Sequence, residues 1–126
     1  MNRRRVKITG LGLVTPAGIG AAAFQQGIME PISRVRLSDQ YPKEAGSFVS
    51  ARVEGFDLAD FEPSVPTKRM SRHTQFAVAA ASMAAKQAGL SLRTMDGGST
   101  VVAVGASLMD FGVINKTVDV ILRRGP

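Results

Sequence analysis

The most distinctive hydrophobic pattern in this chain lies in residues 72–90, RHTQFAVAAASMAAKQAGL. The stretch has no acidic residue, and seven of its nineteen residues are alanine, the best helix former. Gly89 follows where a left-handed turn commonly ends a helix. We therefore predict a helix of about four turns that ends at Ala88. Small or apolar residues lie all round this helix, which predicts that it is buried between layers rather than spanning a membrane.

Two short apolar runs predict strands that are buried on both faces of a parallel sheet. They are residues 6–14, VKITGLGLV, and residues 100–105, TVVAVG. The first run contains two glycines, Gly10 and Gly12, with the spacing of a dinucleotide-binding fingerprint, but the third glycine is replaced by Thr15. We therefore favour a strand whose glycines permit bending and close packing.

Two further helices are predicted on either side of these elements. Thr15 and Pro16 resemble an N-cap followed by proline at the first helical position, which predicts a helix over residues 16–28. A second helix is predicted over residues 110–124, with an acidic residue near its start and two arginines near its end, as the helix dipole prefers. Its apolar positions fall at helical spacing: Phe111, Ile114, Val118, Ile121 and Leu122.

The remaining segments predict connections and short strands. Residues 30–45 are rich in Pro, Ser and charge and predict an irregular surface connection, whereas residues 48–56 fit one or two short strands. Residues 57–66 predict a loop or a short helical turn, and residues 90–99 a polar connection with a turn at Asp96-Gly97-Gly98. This order of elements predicts an α/β fold with a mostly parallel sheet and a buried alanine-rich helix.

Composition narrows the classes of function. The 126 residues fit one domain and contain no Cys and a single His, so thiolate metal sites, a cysteine nucleophile and histidine clusters are excluded within this sequence. We expect no metal and no cofactor. The N-terminus lacks the apolar core of a signal peptide, which favours the cytoplasm. The net charge of +6 favours acidic partners, but no nucleic-acid motif is present, so we expect neither nucleic acid nor membrane as a partner.

Three cations precede or begin the alanine-rich helix: Lys68, Arg69 and Arg72. Positive charge at a helix N-terminus opposes the helix dipole, at a cost of a few tenths of a kcal/mol for each charge. Two interpretations remain open at this point. The cations keep the entry to an apolar helix solvated, or they form a docking site for an acidic partner.

Several segments together resemble a known family. They are RRVKITGLGLVTPAG at residues 4–18, the segment Ala45–Asp57, KRMSRHTQFAVAAASMAAKQAGL at residues 68–90, and the segments TVVAVGAS and ILRRGP at residues 100–107 and 121–126. In order and spacing they resemble the N-terminal part of the elongating β-ketoacyl-acyl-carrier-protein synthases. These are the condensing enzymes of fatty-acid and polyketide synthesis.

The resemblance implies a thiolase-like layered α/β/α fold, of which residues 1–126 would form a single, partial N-terminal domain. It also implies acyl transfer to a cysteine, followed by decarboxylative condensation with a carrier-bound malonyl unit, assisted by two histidines. The implied partners are an acyl-carrier protein and a second ketosynthase chain, as a homodimer or a mixed pair. Lys68, Arg69 and Arg72 would receive the carrier protein, and Leu108 and Phe111 would line the acyl pocket.

The chain departs from the family in the residues that carry the chemistry. It has no Cys, and its single histidine, His73, lies where the family commonly has an aromatic residue. Met109 and Asp110 replace glycines beside the acyl pocket, which puts the chain-length preference in doubt. We therefore assign no catalytic residue and expect the chain alone to be inactive. The two open functions are the N-terminal portion of a ketosynthase and a stand-alone, non-catalytic module that binds a ketosynthase or its carrier protein.

Overall fold

The computed structural model describes residues 5–125, except residues 41, 43, 45, 69, 92–94 and 108–110. Its strands and helices, in chain order, are β1 (Val14–Thr15), β2 (Gly18–Ile19), α1 (Ala21–Met29), β3 (Arg36–Leu37), β4 (Val49–Ser50), a 3₁₀ helix (Leu58–Asp60), α2 (Arg72–Gln87) and α3 (Phe111–Arg124). The described part of the chain therefore combines helices with short strands. None of the described helices is both long enough and apolar enough to cross a membrane.

The strands form two antiparallel hairpins, β1 with β2 and β3 with β4. Thr15 lies inside the first hairpin, where its hydroxyl donates to the carbonyl of Gly18 at 3.0 Å and accepts from the N–H of Ala17 at 3.2 Å. The prediction that Thr15 caps a helix over residues 16–28 was therefore wrong at its start. The threonine closes a turn, and α1 begins only at Ala21.

The two apolar runs do not form the predicted parallel sheet. Of residues 6–14, only Val14 belongs to a strand, and none of residues 100–105 belongs to a strand. Val6 is 91% exposed and Val101 is 90% exposed, so the predicted burial was wrong for residues 6–9 and 101–105, whereas Gly10 and residues 12–14 are partly buried. The physical reason is that a strand requires a neighbouring strand for its main-chain hydrogen bonds, and neither described hairpin reaches residues 100–105.

The predicted alanine-rich helix is confirmed as α2. It ends at Gln87, with Ala88 as its C-cap and Gly89 in the left-handed region at a φ of 68°. The N–H of Gly89 donates to the carbonyl of Lys86 at 3.1 Å, and the N–H of Leu90 donates to that of Ala85 at 2.8 Å. These hydrogen bonds satisfy carbonyls in the last turn, and glycine adopts the required φ without a Cβ clash.

The two glycines of the first apolar run lie directly on the backbone of α2. A Cβ on Gly10 would lie 2.0 Å from the carbonyl oxygen of Ala84, and a Cβ on Gly12 would lie 1.8 Å from that of Ala80. Between these glycines, the N–H of Leu11 donates to Oε1 of Gln87 at 2.6 Å. Only glycine allows this main-chain approach, so the interpretation of Gly10 and Gly12 as close-packing residues is confirmed.

A small core lies on one side of α2. Phe56, Leu58 and Ala79 are its buried hydrophobic residues among those described. Phe56 contacts Phe76 edge to face, with ring centroids 4.8 Å apart. Partly buried hydrophobic residues surround this core: Val14, Ile19, Val53, Phe61, Val65, Met70, Phe76 and Val78. The 3₁₀ helix that carries Leu58 confirms the short helical turn predicted in residues 57–66.

The opposite side of α2 is open. Ala77 and Ala81 are exposed, although they belong to the same alanine-rich sequence as the buried Ala79. The predicted burial of α2 between layers is therefore not met on this side of the helix in the described structure. Small side chains allow a neighbouring layer to pack closely, but the described residues place no such layer over Ala77 and Ala81.

Helix α3 confirms the predicted third helix, although every one of its residues is exposed. The chain as a whole has an accessible surface of 10987 Å². A compact monomer of 13.3 kDa would have about 6,500 Å². The difference is larger than the roughly 800 Å² that one protein covers on its partner in an interface of standard size.

The polar connection before residue 100 contains the predicted turn, at residues 97–99. The Asp96 carboxylate accepts from the N–H of Gly98 at 2.9 Å and from the hydroxyl of Ser99 at 3.1 Å. The hydrogen bond from Gly98 and then the one from Ser99 hold the pKa of Asp96 below its ordinary value, because both donors favour the ionised carboxylate.

We expect Gly12→Ala to destabilise the chain by about 2 kcal/mol, because a Cβ cannot fit against the backbone of Ala80 without displacing α2. Gly97→Ala is the matched control, since a Cβ there meets no atom within 4 Å. Urea unfolding of both variants and the parent chain measures the effect. Equal midpoints for Gly12→Ala and Gly97→Ala would show that the contact with α2 does not limit stability.

We also expect the isolated chain to associate or to bind hydrophobic dyes, because its uncovered apolar surface exceeds what monomers expose. Val102→Ser combined with Val104→Ser should lower the associated fraction, because both valines are exposed in the unpaired run. Analytical sedimentation with a parallel dye titration measures both effects. A compact monomer that binds no dye would contradict the expectation.

Candidate functional site

The N-terminus of α2 is fixed by side chains rather than left open. The hydroxyl of Ser71 accepts from the N–H of Thr74 at 3.3 Å and lies 2.7 Å from the Thr74 hydroxyl. The side-chain amide of Gln75 donates to the carbonyl of Met70 at 3.2 Å. Sequence reasoning missed this cap, although serine before an apolar helical run is a standard N-cap signal.

Arg72 has a structural contact that its sequence position does not reveal. Its guanidinium carbon lies 4.7 Å from the ring centroid of Phe56 and 5.0 Å from that of Phe76. The same side chain donates from Nη2 to the carbonyl oxygen of Phe56 at 3.3 Å. Arg72 therefore joins the start of α2 to the aromatic core, and its attraction to the rings offsets the unfavourable position of its charge against the helix dipole.

Lys68 is exposed and lies in a different environment. With Met70 it lines a groove of about 440 Å³ against α3. From α3 the groove is lined by Val113, Lys116, Thr117, Val120 and Ile121. Two ammonium groups therefore flank a largely apolar surface. This combination suits a partner that presents acidic residues around an apolar contact.

Of the three remaining predicted site residues, the structure describes only Phe111. Arg69 and Leu108 lie outside the described residues. Phe111 is the first residue of α3 and is 62% exposed, so its ring is available to a ligand or to another part of a larger protein. The described contacts bring Lys68 close to α3 and place Arg72 on the aromatic core. They do not join these two cations into one site.

A second groove, of about 620 Å³, lies between the open side of α2 and residues 102–107. From α2 it is lined by His73, Thr74, Ala77, Val78 and Ala81. Nε2 of His73 lies 3.1 Å from the hydroxyl of Ser71. A catalytic triad also needs a third group that orients the histidine. Among the described residues, no carboxylate contact is given for His73, so Ser71 and His73 do not form a triad.

The described residues also contain no cluster of three His, Cys, Asp or Glu side chains that could hold a metal ion. The described surface presents Lys68 and Met70 just before α2, an apolar groove along α3, and the exposed ring of Phe111 at the start of α3.

Known proteins are similar to this chain over most or all of its length. A family model described as the N-terminal domain of β-ketoacyl synthases matches residues 3–120. The 3-oxoacyl-acyl-carrier-protein synthase 2 of Synechocystis is 31% identical over 132 residues, which cover 100% of this chain and 30% of that protein. The protein of the same name in Coxiella burnetii is 30% identical over 129 residues, which cover 100% of this chain and 31% of its own length.

Relatives also include a Streptomyces halstedii protein named as a polyketide β-ketoacyl synthase. It is 36% identical over 96 residues, which cover 69% of this chain and 21% of that protein. No solved structure matches the chain significantly. The chain therefore spans less than a third of the length of each of these relatives.

We expect Arg72→Gln to lower the free energy of unfolding by about 1 kcal/mol, because it removes the cation–π contacts and weakens the link to the Phe56 carbonyl. Lys68→Gln should change stability by less than about 0.5 kcal/mol, as for an ordinary surface substitution. Urea unfolding of the two variants compares a cation that stacks on the aromatic core with one for which no such stacking is described. Equal losses would contradict the distinction between the two side chains.

Proposed function

This chain belongs to the β-ketoacyl synthase family through its N-terminal domain, and we propose from that premise that it serves acyl transfer and decarboxylative condensation in fatty-acid or polyketide synthesis. The observation that carries the proposal is the continuous family match over residues 3–120. Relatives named as 3-oxoacyl-acyl-carrier-protein synthases match the full length of the chain and support the same function.

In this proposal the chain does not catalyse the reaction by itself. Acyl transfer in this family requires a cysteine thiol, and the sequence contains none. The nucleophile and both assisting histidines would have to come from residues outside these 126. The chain would contribute binding surfaces and part of the layered, thiolase-like scaffold, with a mostly parallel sheet. It would work in the cytoplasm as part of a homodimer or of a pair with another ketosynthase chain.

Two features support a role in scaffolding. Helix α2 has an open alanine side, and its closest neighbours approach it as bare backbone at Gly10 and Gly12. Residues 101–105 are exposed, and their valine-rich sequence suits a strand that a neighbouring strand would cover. Covering the surfaces of α2 and of this run would complete layers on both sides of the helix.

The proposed surface for the acyl-carrier protein consists of Lys68, Arg69 and Arg72. Lys68 supports it best, because its side chain is exposed beside the apolar groove on α3. Arg72 would contribute charge while also holding the aromatic core. For the acyl chain we propose Leu108 and Phe111, and the exposed ring of Phe111 supports its place beside a ligand.

The absence of cysteine also favours a second candidate, a non-catalytic module that binds a ketosynthase or an acyl-carrier protein. The intact mass of the natural gene product separates the two candidates. A polypeptide roughly three times as long as this chain, and containing cysteine, is the result expected of a ketosynthase subunit. A natural product of 126 residues would instead favour the binding module.

Charge reversal at the docking surface tests the proposed partner. We expect Lys68→Glu with Arg69→Glu to slow association with an acyl-carrier protein in the complete enzyme by roughly tenfold at low salt, because surface charge acts mainly on encounter rate. The loss should shrink as salt rises, since charges are screened over about 8 Å at physiological ionic strength. Stopped-flow association measures the rate.

The matched control is Arg5→Glu with Lys7→Glu, which makes the same change in net charge at two exposed cations. Acylation by a small, carrier-free thioester should remain unchanged in both double variants. If the control slows carrier association as much as the docking variant, the effect is one of net charge and the proposed surface is wrong.

A further inference from the structure

A groove beside the second hairpin brings three arginines together. In β3 and β4, Arg36 pairs with Ser50 across the strands. Arg34 and Arg52 lie just outside the two strands, two residues before Arg36 and two residues after Ser50. The three arginines and Ser50 line a groove of about 290 Å³, which Pro16, Leu37 and Glu54 complete.

The three arginines in this groove differ in how far a neighbouring carboxylate neutralises their charge. Nη2 of Arg34 lies 2.5 Å from a carboxylate oxygen of Glu30. Arg52 lies 3.4 Å from Asp39, in a pair whose side chains are 52% and 89% exposed, so their attraction is weak. The contacts given for Arg36 are with main-chain carbonyls only, those of Ser33 and Val35. The charge of Arg36 is therefore the least compensated of the three.

Local stability does not account for this arrangement. Arg34, Arg36 and Arg52 line the same groove, and like charges held close together repel one another. An anion between the arginines would offset that repulsion.

The arginines also keep donors for a ligand. In the contacts described, Arg36 and Arg52 each donate from Nη1 alone, although a guanidinium carries five N–H donors. Arg34 donates from Nη2, and its Nε is buried without a hydrogen-bond partner. The donor set thus exceeds what the described acceptors satisfy. Planar guanidinium groups present paired N–H donors whose spacing fits two oxygens of a phosphate.

We propose that this groove binds the phosphate group of a small phosphate monoester. Arg36 and Arg52 bind the phosphate oxygens, Ser50 offers a hydroxyl donor, and Arg34 holds the wall of the groove through Glu30 and the carbonyl of Gly27. The volume is slightly below the roughly 300–1,000 Å³ of pockets that enclose whole drug-sized ligands. The groove therefore recognises the anionic group and leaves the remainder of the molecule in solvent.

Glu54 gives the proposal a distinguishing test, because it lines the same groove and a carboxylate there would repel an anion. The experiment titrates the full chain with phenyl phosphate and follows the arginine Nε–H signals by NMR at constant ionic strength. We expect saturable shifts for Arg36 and Arg52. Arg36→Gln and Arg52→Gln should each weaken binding by about tenfold, since each removes charge-assisted hydrogen bonds. Glu54→Gln should tighten binding.

Arg123→Gln is the matched control, because Arg123 is an exposed arginine paired with a carboxylate on α3. Circular dichroism verifies that each variant retains its helices. Inorganic phosphate should compete with phenyl phosphate, whereas acetate at the same ionic strength should compete weakly. Non-saturable shifts, equal weakening by Arg123→Gln, equal competition by acetate, or unchanged affinity in Glu54→Gln would each overturn the proposal.

Discussion

The contact between two glycines and the backbone of α2 is the constraint on which the rest of this structure depends. Gly10 and Gly12 lie against Ala84 and Ala80 so closely that a single methyl group would overlap a carbonyl oxygen. This contact fixes the first apolar run along the helix, and the hairpin that follows carries Val14 and Ile19 to the edge of the core. The close packing therefore depends both on the alanines of α2 and on the glycines of the first apolar run.

A second set of interactions, made by polar and aromatic side chains, holds the start of α2. Ser71 caps the helix, and Arg72 in the next position covers the rings of Phe56 and Phe76. The 3₁₀ segment is tied to the same helix further along, where the hydroxyl of Ser82 donates to Glu62 at 2.7 Å. Of the cations proposed to dock a carrier protein, Arg72 is therefore held by the aromatic core, whereas Lys68 is exposed beside the groove on α3.

Sequence patterns predicted the local features of this fold and failed where a distant partner decides the outcome. The end of α2 at a left-handed glycine, the turn at residues 97–99 and the helical spacing of α3 depend on neighbouring residues, and each was predictable. The burial of residues 6–14 and 100–105 depends on strands that the described chain does not place beside them. The stacking of Arg72 on Phe56 joins residues sixteen positions apart, and no periodic pattern signals such a contact.

The uncovered run at residues 100–105 also has a consequence for the time course of assembly. Its sequence, TVVAVG, is uncharged, free of proline and rich in β-branched residues, which is the composition of segments that stack into cross-β fibrils. Because the described strands do not pair with this run, its main-chain groups could pair with the same run of another copy. The yield of correctly assembled protein therefore depends on two rates. One is the rate at which the proper neighbour covers this run, and the other is the rate at which identical runs on two copies associate.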